Sequence, residues 1–76
     1  GDFAAALAEY EKALVAWPDD FRTLLQAAAS ARRAGRADRA LVLLDRAIEL
    51  RPEHYIPRYN RACLMAITDG LDAALP

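Results

Sequence analysis

From Phe3 to Ala16 the apolar residues Phe3, Ala6, Leu7, Tyr10, Ala13 and Leu14 fall at i, i+3, i+4, i+7, i+10 and i+11, with Glu9, Glu11 and Lys12 off or beside that stripe. The spacing predicts one amphipathic helix. Trp17-Pro18 ends it, because the residue before a proline is pushed out of the helical region. Asp19 and Asp20 supply an N-cap for a second helix, predicted from about Phe21 to Ala34. Its inward face is Leu24, Ala27, Ala28 and Ala31, small enough for a neighbouring helix to approach closely. Arg32 and Arg33 occupy the last turn, and Gly35 suits a C′ position with positive φ. A third helix, from about Ala37 to Leu50, buries Ala40, Leu43, Leu44, Ala47 and Ile48 and stops at Arg51-Pro52. Pro57 is read as opening a fourth helix that runs to about Thr68. Asp69-Gly70 is then a turn, with a fifth helix beginning at Leu71. Strand alternation is absent and β-branched residues are few, so the predicted class is all-α.

The pattern recurs. Pro18 and Pro52 lie 34 residues apart, and at the same interval Ala6 maps onto Ala40 and Ala74, Leu7 onto Leu41 and Leu75, Ala13 onto Ala47, Gly1 onto Gly35, and Ala28 onto Ala62. A fixed period of this length is the mark of a stacked array of helix pairs. Gly1-Asp2-Phe3, Ala6, Tyr10, Ala13-Leu14 and Pro18 resemble the second half of a tetratricopeptide repeat (TPR). Leu24, Ala28, Gly35, Ala40, Leu44, Ala47 and Pro52 resemble a whole repeat, and Tyr59-Asn60, Ala62 and Ala74 the opening of a third. The resemblance implies antiparallel helix-turn-helix repeats stacked as a right-handed α-solenoid. It divides the chain into 1–20, the end of one repeat, 21–54, a complete repeat, and 55–76, the start of a third. About two repeats' worth of helices are present, and the pattern opens in mid-repeat, as expected of an internal segment of a longer protein. Some positions depart from the family pattern. Leu24 and Arg58 stand at its tryptophan-like place, Ala31 and Met65 at its late aromatic, and Asp69 where glycine is expected. Pro76 falls inside the closing helix of the pattern.

Composition narrows the function classes. The 76 residues carry a net charge of −1 with both signs interspersed, unlike the one-sided basic charge of a nucleic-acid binder. The single cysteine, Cys63, excludes an internal disulfide and a multi-cysteine zinc site. No apolar run approaches a membrane span, so membrane insertion is not expected. The start shows no signal-peptide pattern and the cytoplasm is the favoured compartment, although a targeting signal ahead of Gly1 is not excluded.

In these repeats the first helix of each pair lines the concave face. The resemblance therefore makes Arg22, Leu25, Ala29 and Arg32, then Ile56, Tyr59, Cys63 and Ala66, the candidate partner-binding residues. Tyr59, Cys63 and Ala66 form one ridge at i, i+4 and i+7, an apolar floor for an amphipathic or extended peptide. The plainer alternative is that they pack within the superhelix or against another part of the parent protein. In chaperone-binding members of the family, an asparagine at the place of Asn60 helps a lysine and an arginine hold a C-terminal carboxylate. Leu25 and Ala29 occupy the corresponding first-helix places, so that clamp is not supported. Asn60 is read instead as a helix–helix hydrogen-bonding residue. Arg32, Arg33, Arg36 and Arg39 form the densest positive patch, read as a solvated face in preference to a receptor for an acidic segment. His54 has no second ligand at metal spacing, and Cys63 reads as a small packing residue. No nucleophile–base pair or phosphate-cradling loop is present, so neither catalysis nor a cofactor is expected. The expected function is a protein–protein interaction scaffold that holds a peptide or partner protein. The alternatives are self-assembly through open repeat ends, and an accessory domain of a larger bacterial enzyme.

Overall fold

In a computed structural model the chain forms four α-helices, α1 (Phe3–Ala16), α2 (Phe21–Arg33), α3 (Ala37–Leu50) and α4 (Tyr55–Ala74). The structure describes residues 2–74, with side chains as far as residue 66. Each helix packs antiparallel on the next in sequence, in a flat row measuring 45 × 31 × 15 Å.

The turns explain the row. Trp17 (φ −132, ψ 71) and Arg51 (φ −138, ψ 76) leave their helices with nearly the same backbone angles. Each donates its N–H to the carbonyl four residues back, Ala13 at 2.8 Å and Ala47 at 3.0 Å. Each carbonyl in turn accepts from the residue three places on, Asp20 at 3.2 Å and His54 at 3.1 Å. The sequence period is therefore also a period of backbone geometry, set by the pre-proline restriction. The exit from α2 differs. Gly35 takes φ 80, Arg36 N–H reaches the Ala31 carbonyl at 2.8 Å, and Gly35 N–H reaches Arg32 at 3.1 Å. These paired bonds are a Schellman exit, which requires the left-handed residue that glycine supplies.

Three of the four helix starts carry a side-chain cap; at α3 Arg36 stands at the N-cap without one. Asp2 accepts from the Ala5 N–H at 3.0 Å and Asp20 from the Thr23 N–H at 3.4 Å. At α4 the equivalent place is held by His54, whose Nδ1 accepts from the Ile56 N–H at 3.3 Å. Its ring also lies 5.0 Å from Phe21 and 6.0 Å from Tyr55, centroid to centroid. The cap starts α4 two residues before Pro57, which is buried within the first turn. Proline is tolerated there because the N–H it lacks would have no intrahelical partner.

The core is a seam between α2 and α3. Leu24, Ala27, Ala28 and Ala31 meet Ala40, Leu43, Leu44 and Ala47, with Leu7 of α1 and Leu64 of α4 closing the sides. On α1 only Leu7 is fully buried; Phe3, Ala6, Tyr10, Ala13 and Leu14 are half-buried, as is Ile48 on α3. Ion pairs reach past sequence neighbours. Arg39 Nε meets Glu11 at 2.7 Å, joining α3 to α1, and Arg61 Nε meets Asp45 at 2.6 Å, joining α4 to α3. Arg46 pairs with Asp19 in the first turn. At this exposure each contributes only about 0–1 kcal/mol.

Two sequence expectations are corrected. α4 opens at Tyr55, and Pro57, read as its first residue, is its third. α4 continues without a break through Asp69-Gly70 to Ala74, so there is no turn there and no separate fifth helix at Leu71 among the described residues. Glycine inside a helix costs only about 1 kcal/mol relative to alanine, too little to end a helix that no proline interrupts. Pro76 and Leu75 lie outside the described residues.

Two substitutions test these local causes. At Gly35 a Cβ would meet nothing within 4 Å, so Gly35→Ala isolates the left-handed strain. It is expected to destabilise by about 1–2 kcal/mol in urea unfolding, with an unchanged m-value. His54→Ala removes the cap and the ring contacts together and is expected to cost about 1 kcal/mol or more by the same measurement.

Candidate functional site

Alanines make the seam close, and they also leave an opening beside it. Where Ala28 and Ala40 stop at Cβ, a cleft of about 390 Å³ opens between α2 and α4, above α3. Its floor is Ala28, Ala40, Leu44 and Leu64, all buried. Its walls are Ala29 and Arg32 on α2, and Tyr59, Asn60 and Cys63 on α4. The volume falls in the range of ligand-sized sites, about 300–1,000 Å³.

The wall residues bring hydrogen-bonding groups to an apolar floor. Tyr59 is 64 % exposed, Asn60 and Arg32 are exposed, and Cys63 is half-buried. Asn60 makes no side-chain hydrogen bond among the described residues, which corrects its reading as a helix–helix bonding residue: position 60 faces the cleft. Hydrogen bonding with Cys63, one helical turn on, and secondarily charge repulsion from it push the Tyr59 phenol above its ordinary value.

The arginine patch comes apart into separate contacts. The Arg33 guanidinium lies 5.4 Å from the centre of the Phe3 ring, a cation–π contact. Arg36 pairs with Asp38 at 3.4 Å, and Arg39 with Glu11. The Arg39 backbone N–H, and then the Arg36 side chain, hold the Asp38 carboxyl below its usual 3.8. Of the four, Arg32 alone makes neither an ion pair nor a ring contact among the described residues. It stands at the cleft, and no acidic residue lines that cleft among the described residues.

Ala29, Arg32, Tyr59 and Cys63 thus share one site. The other four candidates do not line it. Arg22 borders a broader opening with Asp19, Asp20, Phe21, Leu50, Arg51 and Glu53. Leu25 packs against the core, Ile56 is half-buried next to the α4 cap, and Ala66 is exposed. The sequence pattern did not place Asn60, or the floor residues Ala28, Ala40, Leu44 and Leu64, in the site. The translation of Ala28 onto Ala62 held a partial signal, since it marks α2 and α4 as equivalent helices with α3 between them. Among the described residues no three His, Cys, Asp or Glu side chains come together as metal ligands, and no helix is long and apolar enough to cross a membrane.

Fold and site together define a small all-helical domain of four sequentially antiparallel helices with an open interhelical cleft. Comparison with family models, curated proteins and solved structures finds no match for this chain.

The Tyr59–Cys63 pair gives a titration test. Because the folded-state value is the raised one, the contribution is whole below the ordinary 10.0 and is lost as pH climbs through the raised value. Cys63→Ala is expected to return the Tyr59 phenol toward the ordinary value in a tyrosine-labelled NMR titration.

Proposed function

We propose that this chain is a non-catalytic protein-interaction module of the tetratricopeptide kind, taking a short peptide segment of a partner along the cleft between α2 and α4. The observation that carries the reading is the composition of that cleft. A buried apolar floor lies beneath exposed Tyr59 and Asn60 and an Arg32 without a carboxylate partner among the described residues. Among the described residues the lining offers apolar side chains and hydrogen-bonding groups, the composition of a binding surface. The recurrence of the proline turn with the same backbone angles supports the repeat assignment.

The site's chemistry describes the segment it takes. Small apolar side chains fit the alanine-lined floor, and an acidic group complements Arg32. The rigid seam holds the floor in place before binding, so the partner bears most of the ordering entropy.

Panning a phage-displayed random peptide library against the chain is expected to enrich segments that combine small apolar and acidic residues. Arg32→Glu and Tyr59→Ala should each weaken the enriched peptides about tenfold or more, a loss of about 1.4 kcal/mol. Arg22→Ala, on the separate opening, should leave them unchanged. Peptides that bind the Arg32→Glu/Tyr59→Ala double variant at full affinity would end this reading.

A further inference from the structure

The first and last described helices stand one period away from the two helices that form the seam. α1 and α3 start and stop at equivalent positions, and α2 and α4 start at the equivalents Phe21 and Tyr55. α4 therefore stands at the place of α2 in the period, and α1 at the place of α3. The buried α2 residues Leu24, Ala27 and Ala28 correspond to Arg58, Arg61 and Ala62, of which Arg58 and Ala62 are exposed. The buried α3 residues Ala40, Leu43, Leu44 and Ala47 correspond to Ala6, Glu9, Tyr10 and Ala13, of which Glu9 is exposed and the rest half-buried. Most of these places keep an apolar residue. The chief exceptions are complementary: where the seam buries a leucine from each helix, Leu24 and Leu43, the ends carry Arg58 and Glu9.

We propose that the chain associates head to tail with a second copy of itself, α1 of one copy docking on α4 of the next as α3 docks on α2. In an antiparallel hairpin, positions equally far from the turn lie opposite one another, which sets Leu43 across from Ala28 with Leu24 one turn away. The same register sets Glu9 across from Ala62 of the next copy, with Arg58 of that copy one turn away and within an arginine's reach. Arg58 makes no ion pair among the described residues, and Glu9 makes only an exposed one with Lys12 at 3.4 Å. Arg58 can thus engage a neighbour directly, and Glu9 can exchange its exposed pairing with Lys12 for one across the contact. Tyr10, at the place of Leu44, is half-buried against the chain's own core and lies between Ala6 and Ala13 along α1. The contact joins two different surfaces, so it propagates instead of closing on a two-fold axis. It leaves the cleft between α2 and α4 open and does not depend on what binds there.

Sedimentation velocity on the chain, from micromolar to millimolar concentration at low salt, is expected to show an average mass that rises with concentration and falls on adding salt. Glu9→Arg and Arg58→Glu should each weaken association about tenfold or more. An equimolar mixture of the two variants should recover it, because each then meets an opposite charge on its neighbour. That recovery distinguishes a lost contact from a damaged fold, while Tyr59→Ala, which tests the cleft, should leave association unchanged. A wild-type chain that stays monomeric throughout overturns the proposal. So does association that neither charge reversal affects, or a mixture that stays as weak as its components.

Discussion

The close approach of α2 and α3 is the constraint on which the rest of this structure depends. Ala27, Ala31, Ala40 and Ala47 have no measurable exposure, and leucines fill the space above and below them. Alanine has no side-chain entropy to lose and is the best helix former, so one residue type both stabilises each helix and lets two of them meet. The cost lies in area. An alanine seam buries little apolar surface per residue, and the flanking helices must be secured by other means. Leu7 and Leu64 do part of this, one from each side. The half-exposed pair of Arg39 with Glu11 adds a link that skips a helix.

The cleft follows from the same choice. Large side chains at positions 28 and 40 would have filled the space between α2 and α4. Alanine leaves it open over a buried floor, and the chain lines it with groups that donate hydrogen bonds. Of the four neighbouring arginines, three are engaged by Phe3, Asp38 and Glu11 among the described residues, and the fourth, Arg32, stands at the opening. A patch that looks uniform in sequence is thus divided in space into three structural contacts and one available charge.

Local rules made most of the fold legible. Pre-proline exits, the Gly35 exit and the aspartate caps each act within a few residues, and the helix bounds they predict for the first three helices agree with the structure to within a residue. Two features escaped for physical reasons. Histidine is an uncommon cap, and His54 holds its place partly through Phe21, which is remote in sequence. Asp69-Gly70 carries turn chemistry without the backbone conflict that would force a turn, so the helix passes through it. The site was legible by half. Helical periodicity identifies a face but not its length, and the cleft occupies only the stretch from Ala28 to Arg32 opposite Tyr59 to Leu64.

Comparison of α1 with α3 separates what a sequence encodes from what a neighbour supplies. Ala6 and Ala40 are the same residue at the same place in equivalent helices, as are Ala13 and Ala47. The α3 alanines are fully buried and their α1 counterparts only half so. Propensity, pattern and turn geometry are matched within each pair, so the difference in burial comes from the packing partner alone. α3 lies between two helices and α1 packs mainly on one. Burial in a row of this kind is a property of the interface, as nearest-neighbour coupling in repeat architectures requires. It follows that Glu9 is tolerated where Leu43 is not replaceable by an acid. An unpaired carboxylate at position 43 would be buried in the seam, whereas at position 9 it remains in water until something of opposite charge covers it.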